Sequence, residues 1–369
     1  MIPDLKKRLS IKWSHIICAV MQKKFALVGI PILLAFLIVA ATGNMEFLPD
    51  LNKEIQTVTD VQSQSISEVE SQIAEAGEQP VREYTLIIEQ TDIQVSDTAV
   101  WHAWTYNGTV PAPTLMVNQG ELLRVRVINN HDLTHSFHAH MSDYDPKHDG
   151  SPVNVITGVG AGSMIPPGGE WTYEYNVVNE GATFFHDHAG SEGLGIKDHI
   201  LQGLYGNIII ERSSPSPNID RYIPIVMAEI GHDVERMEKG PVPYFIMNGK
   251  GMPGGEKALE EIFAEQGFDG VASQFNYTLP VYKAKVGETV EFVVTNLGDQ
   301  IHSFHLHGNK MISSSNNIGS TITSQTFPLV QGTLESFVIK PDKPAVWLFH
   351  CHVVSHADAG MIGLFIVEE

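Results

Sequence analysis

His135-Ser-Phe-His-Ala-His140 and His302-Ser-Phe-His-Leu-His307 are one motif written twice, identical at five of six positions. The segments downstream of the two copies also match. Phe185-His-Asp-His188 answers Phe349-His-Cys-His352, 46 and 43 residues after the preceding His-x-His. Gly203-Leu-Tyr-Gly-Asn-Ile-Ile-Ile210 then answers Gly360-Met-Ile-Gly-Leu-Phe-Ile-Val367. Three matches in one order describe an internal duplication. The texture around them is β. Leu122–Ile128 (LLRVRVI) and Thr289–Thr295 (TVEFVVT) alternate apolar and polar residues after a Gly-Glu turn, as half-buried strands do. From Tyr84 onward, long helical periodicity appears only around Glu256–Gln266. The economical fold is all-β: two tandem Greek-key β-sandwich domains, at 81–212 and 221–369, joined by a linker at 213–220 (SSPSPNID).

The chain before Tyr84 is of another kind. Residues 1–24 carry six basic side chains and one acid, and Phe25–Ala41 is an uncharged apolar run. Positive charge ahead of such a run and an acidic body behind it predict a cytoplasmic N-terminus and an extracytoplasmic body. Residues 25–43 are read as a retained transmembrane anchor, at the short end for crossing ~30 Å of hydrocarbon. A signal segment cleaved near Ala41-Thr42-Gly43, leaving a secreted body, is the alternative. Residues 44–80, with eight acids and one Lys, read as an acidic stalk; a short helix, from the near-heptad spacing of Ile55, Val58, Ile66, Val69 and Ile73, is the less favoured reading. The 369 residues hold 23 Lys and Arg against 43 Asp and Glu, a net charge of −20 that repels phosphate backbones and argues against a nucleic-acid partner. Two cysteines, Cys18 and Cys351, exclude a disulfide framework.

Placement of the 17 histidines points to chemistry. On a strand, residues i and i+2 share a face, so each His-x-His presents two imidazoles side by side. Four such pairs suit copper, zinc or iron rather than calcium or magnesium. In the second domain one face collects His305, His307, His350 and His352, while the opposite face collects His302 and Cys351. The loop after them adds His356 and Met361. Two imidazoles, a thiolate and a thioether form the blue-copper set, with Met as the weak axial ligand. An unligated thiol in an exported protein would tend to oxidise. In the first domain Asp187 stands where Cys351 stands and Leu204 where Met361 stands, so His135 lacks a thiolate partner and no blue copper is expected there. The loop Ala189–Gln202 is seven residues longer than its counterpart. His15, His102, His131, His135, His148, His199 and His232 have no assignment; His199 and His232 are read as surface residues, with the edge of a substrate site as the alternative.

These patterns, His-x-x-His-x-His and His-Cys-His-x3-His-x4-Met, resemble those of multicopper oxidases, and specifically small two-domain laccases with the blue copper in the second domain only. Pro111-Ala-Pro-Thr-Leu115 and Pro167-Gly-Gly-Glu170 resemble further turns of that family, and the resemblance spans about residues 84–369. It implies cupredoxin-like domains and four coppers per chain. Type 1 copper would be held by His302, Cys351, His356 and Met361, and type 2 by His138 and His305. The type 3 pair would be held by His140, His186, His188, His307, His350 and His352. It also implies Asp149 as a carboxylate supporting proton delivery and Tyr144 as an auxiliary electron donor. Cys351 would pass electrons toward a trinuclear cluster shared between subunits of a homotrimer, where dioxygen is reduced to water. Met141 replaces the Gly that usually comes after the first His-x-His, and Val354 stands where several relatives carry an acid. The reductant stays open among phenols, Cu(I), Fe(II), Mn(II) and nitrogen compounds. A copper nitrite reductase is the first alternative, but that family keeps its blue copper in the first domain and needs only three interface histidines. A non-catalytic electron carrier is the second, and leaves the four His-x-His pairs without purpose.

Overall fold

The computed structural model describes residues 79–369 apart from 97–98, 157, 159, 191–192, 212–217, 231–233, 237–243, 274–277, 310 and 314–322. The basic N-terminus, the membrane segment, nearly all of the stalk, most of the linker, His15 and His232 lie outside the described residues. Among the described residues no helix is long and apolar enough to cross a membrane.

Eight strands build the first sandwich: β1 (Val81–Ser96), β2 (Ala99–Tyr106), β3 (Leu115–Asn118), β4 (Leu122–Asn129), β5 (His138–Ala139), β6 (Glu170–Asn176), β7 (Gly181–His186) and β8 (Tyr205–Glu211). The later part of the chain supplies β9 (Arg221–Ile230), β10 (Val234–Arg236), β11 (Tyr244–Met247), β12 (Val281–Lys285), β13 (Val290–Asn296) and β14 (His302–Leu306). It continues with β15 (Met311–Ser313), β16 (Thr323–Ser324), β17 (Thr326–Leu329), β18 (Thr333–Ile339), β19 (Ala345–Cys351) and β20 (Ile362–Glu368). The sheets of the first sandwich run β10-β2-β1-β4-β6 and β3-β8-β7-β5; those of the second run β11-β9-β13-β18-β15-β16 and β12-β20-β19-β14-β17. Parallel pairs β1/β4 and β3/β8, matched by β13/β9 and β12/β20, join strands far apart in sequence, which needs crossovers between the two sheets. The mostly-β, duplicated fold is the expected one.

The two strands quoted for their alternation differ in outcome. β4 alternates as read: Leu123, Val125 and Val127 are fully buried, while Arg124 and Arg126 pair outward with Glu174 and Glu170. β13 is buried along its whole length, which corrects the half-buried reading. Its second face abuts the first sandwich, where Thr295 Oγ1 donates to Asn207 Oδ1 at 2.7 Å. A buried layer of Trp101, Ala103 and Val110 with Val226, Ala228, Ile230 and Tyr244 continues that contact, and β10 adds itself to the first sandwich beside β2. Inside each sandwich the packing is aromatic: Phe137, Tyr173 and Phe185 in the first, Phe292, Phe304, Phe337 and Phe349 in the second. Each such side chain contributes about 1.5–3 kcal/mol by leaving water. The expected helix spans Gly255–Ser273, broken at Gly267 (φ 66°), and buries Leu259 and Val271 against Ile362 and Leu364.

Candidate metal centres

Strand alternation sets the first group of histidines. Phe137 and Ala139 point into the core with no exposure, so His138 and His140 point out of it, and the register pairs His138 with His186. Ring centroids lie 5.0 Å apart for His138–His140 and His138–His188, 5.3 Å for His140–His186 and 5.5 Å for His186–His188. The second sandwich repeats the arrangement. His305 pairs in register with His350, and centroids lie 4.8 Å apart for His305–His307, 5.2 Å for His305–His352 and 5.6 Å for His350–His352.

In each group two histidines have their tautomer fixed from behind. His138 Nδ1 donates to the Asp149 carbonyl at 2.7 Å and His186 Nδ1 to the Asp187 carbonyl at 3.0 Å. His350 Nδ1 donates to the Cys351 carbonyl at 2.9 Å, and His305 Nδ1 to that of Gln325. A histidine that gives its Nδ1 proton to a carbonyl turns an Nε2 lone pair outward, as metal ligation asks. Accordingly Nε2 of His140 faces Nε2 of His186 at 3.2 Å, and Nε2 of His307 faces Nε2 of His350 at 3.1 Å. Burial, then the neighbouring imidazoles, push the pKa of His140 down to about 3. Burial likewise brings His186 to about 4 and lowers His138, His305 and His350. These rings are neutral at pH 7, the form that binds a metal.

On the opposite, core-facing side of β14 and β19, His302 and Cys351 are fully buried, and His356 from the following turn is nearly so. Nδ1 of His302 lies 3.2 Å from Nδ1 of His356, and Cys351 Sγ lies 3.8 Å from each. A trigonal metal with bonds of about 2.1 Å to nitrogen and 2.3 Å to sulfur places those atoms roughly this far apart. The donors therefore fit a thiolate-bound metal. Met361 is fully buried in the same core cluster as Cys351. Its carbonyl accepts from Cys351 N and its N–H donates to the His356 carbonyl, both at 3.0 Å. Phe245 stacks on His356 with centroids 4.1 Å apart.

Asp149 and Tyr144 meet beside the first histidine group. The Tyr144 hydroxyl donates to Asp149 Oδ1 at 2.8 Å, and that oxygen lies 3.7 Å from His138 Nδ1. Burial works against ionisation of Asp149, but hydrogen bonds from Ser151 and Tyr144, with His138 and His188 nearby, outweigh it and hold its pKa low. Burial and the Asp149 carboxylate push Tyr144 up to about 12.

Two residues escaped the sequence reading. Glu229, on β9 and almost fully buried, brings Oε1 to 2.8 Å from His302 Nε2; nothing in the local pattern marks it. His199 is not a surface residue. It is completely buried, with Nδ1 2.7 Å from Asp187 Oδ2. The signal was present: His199 stands four residues before Gly203, as His356 stands four before Gly360. Of the other unassigned histidines, His102 pairs with Asp92, His135 adjoins Asp187 and His199, His131 adjoins His135, and His148 is buried near Glu174.

Models of the multicopper oxidase family match residues 87–215 and 252–369. The chain belongs to the multicopper oxidase family. It is thus an oxidoreductase, and copper is the metal its family implies. A solved multicopper oxidase superposes with a TM-score of 0.61 at 26% identity, covering 78% of this chain and 89% of that one. A copper-containing nitrite reductase from Neisseria meningitidis is 25% identical over 293 residues, covering 76% of this chain and 68% of that protein. A protein from Kuenenia stuttgartiensis described as a probable nitrite reductase-hydroxylamine oxidoreductase fusion is 27% identical over 268 residues. That match covers 71% of this chain, which spans only 28% of the fusion's length. In this multicopper oxidase the donors at Cys351 fit copper by softness and number, and the two histidine groups by their outward Nε2 atoms.

Proposed function

We propose that this multicopper oxidase is laccase-like, with type 1 copper on His302, Cys351, His356 and Met361. Type 2 copper is assigned to His138 and His305. The type 3 pair is assigned to His140, His186, His188, His307, His350 and His352, giving four coppers per chain. Bound there, copper supplies one-electron oxidation of a reductant at Cys351 and four-electron reduction of dioxygen to water at the histidine cluster. One observation carries the reading: both sandwiches gather four histidines, three with converging ligand atoms and a fourth in ring contact, while only the second offers a thiolate, because Asp187 occupies the first sandwich's cysteine position.

The chain's own residues have these roles. Cys351 is bonded through the main chain to His350 and His352, and the hydrogen bond from His350 Nδ1 to its carbonyl shortens the route from sulfur to the quartet. Asp149, ionised and hydrogen-bonded to Tyr144, is placed to accept and pass protons beside His138. Tyr144 is the auxiliary donor beside the same quartet. The two quartets form separate groups within the chain, and among the described residues no ring contact or hydrogen bond joins them. That separation supports a head-to-tail homotrimer in which the first sandwich of one chain faces the second sandwich of the next. The N-terminal segment anchors this body to a membrane on its extracytoplasmic side.

Oxygen uptake by the copper-loaded protein with phenol, Cu(I), Fe(II), Mn(II) and hydroxylamine as reductants, with and without nitrite, tests the reading. Four electrons consumed per dioxygen, unaffected by nitrite, is the expected result. Nitrite turnover without oxygen uptake would assign the chain to the chemistry named for its Neisseria relative.

A further inference from the structure

The first sandwich fills the place of the thiolate site with another set of donors. His135 opens the motif that His302 opens, Asp187 sits between paired histidines as Cys351 does, and His199 holds the position of His356. All three have zero exposure, and their ligand atoms lie within 4.8 Å of one another. Nδ1 of His135 and Nδ1 of His199 converge on one oxygen, Asp187 Oδ2, at 2.6 and 2.7 Å. The same two ring positions converge on Cys351 in the second sandwich.

The rest of the pocket holds this set in place. Asp187 Oδ1 accepts from Ser136 N at 2.8 Å, Ser136 Oγ at 3.0 Å and Ala189 N at 2.8 Å. One carboxylate oxygen is therefore fixed by three donors while the other is aimed at two imidazole nitrogens. His131 Nδ1 lies 2.8 Å from His135 Nε2, and Trp104 closes the pocket against His131, His135 and His199. Among the described residues the ion-pair partners of Asp187 are the two histidines alone. The carboxylate is sealed from water, with both imidazoles turned toward it. Two nitrogens and one carboxylate oxygen are a donor set for divalent transition metals.

We propose that His135, Asp187 and His199 form a further metal site, which takes a divalent ion of the zinc or copper(II) type. The metal replaces the two Nδ1 protons that otherwise point at Asp187. Leu204, fully buried where the second sandwich has Met361, offers no donor, so the site has three protein ligands. Lacking a thiolate, it gives no intense charge-transfer colour and leaves the visible spectrum to Cys351. Its role is to tie the helix Ile196–Leu201, which bears His199, to the segment carrying His186 and His188. The proposal does not depend on which acceptor the enzyme reduces.

Crystals of the full-length protein incubated with zinc, and separately with copper(II), can be measured at the absorption edge of each metal. The expected result is an anomalous peak between the two Nδ1 atoms and Asp187 Oδ2. Native mass spectrometry of the His199→Gln chain should show one metal fewer per chain, with the Cys351 absorption band retained. No peak there with either metal would overturn the proposal without recourse to a variant. A metal count that His199→Gln leaves unchanged would overturn it too.

Discussion

Glu229 reaches His302 from β9, a strand with no metal-binding motif, and meets the ring nitrogen that points away from Cys351. Burial opposes a proton on His302, but contacts with Cys351 and Glu229 outweigh it and raise its pKa. The carboxylate thus keeps Nε2 protonated and Nδ1 directed at the metal, and it makes the ring a stronger donor. Glu229→Gln keeps the shape and removes the charge. Copper at the Cys351 centre should then bind about 10–100-fold more weakly, measured by competition with a chelator while the thiolate band is followed. Unchanged affinity would show Glu229 to be only packed there. Tyr144→Phe acts on a titration. The Tyr144 hydroxyl is one of the groups holding the Asp149 pKa low, so its loss raises that pKa and protonates the carboxylate at higher pH. The acid limb of the pH–rate profile should move upward, and a limb that stays put would remove Asp149 from proton delivery. At this scale the sequence was legible wherever strand alternation applies: every His-x-His and Cys351 takes the expected side. Glu229 was not legible because it reaches its partner across 73 positions of chain through sheet packing alone.

Elements were legible where one face meets water. β4 shows its alternation because its outer face is solvated and carries Arg124 and Arg126. β13 hides the same pattern because Thr295 and its neighbours lie against the first sandwich, and one chain segment cannot announce what covers its outer side. The turn into β20 is more constrained than its sequence suggests. Gly360 has φ 126°, and a Cβ there would lie 2.8 Å from the Met252 nitrogen. Gly203, its counterpart before β8, has φ 115° and a Cβ that would meet the Trp104 carbonyl at 2.7 Å. Gly360→Ala should therefore cost about 1–3 kcal/mol from backbone strain, with the clash in addition, and loosen Met361 next to it. Gly287, at φ 83° with open space around its Cβ, is the control for strain without a clash. Denaturant midpoints of the two Ala variants check this. The Gly360 variant should fall further and also lose intensity in the Cys351 band, and equal midpoints with an intact band would contradict the account.

The duplication organises the whole molecule, and it was visible from two six-residue motifs. Their divergence was visible as well, since Asp187 replaces the thiolate in one copy. The interlock was not visible: β10 crosses to the first sandwich, and a buried layer joins the halves into one unit spanning Gln79–Glu369. That compactness leaves each quartet in its own group, at its own sandwich, so on the proposed reading neither sandwich completes a cluster unaided. The most direct measurement of this claim is complementation. His140→Ala disables one quartet and His307→Ala the other, and each variant alone should be inactive in dioxygen reduction. Assembled together from equal amounts, chains in a head-to-tail ring form interfaces with both quartets intact about a quarter of the time. The account predicts about a quarter of full oxygen uptake from the mixed assembly. A mixture as inactive as either variant alone would contradict a cluster built between chains.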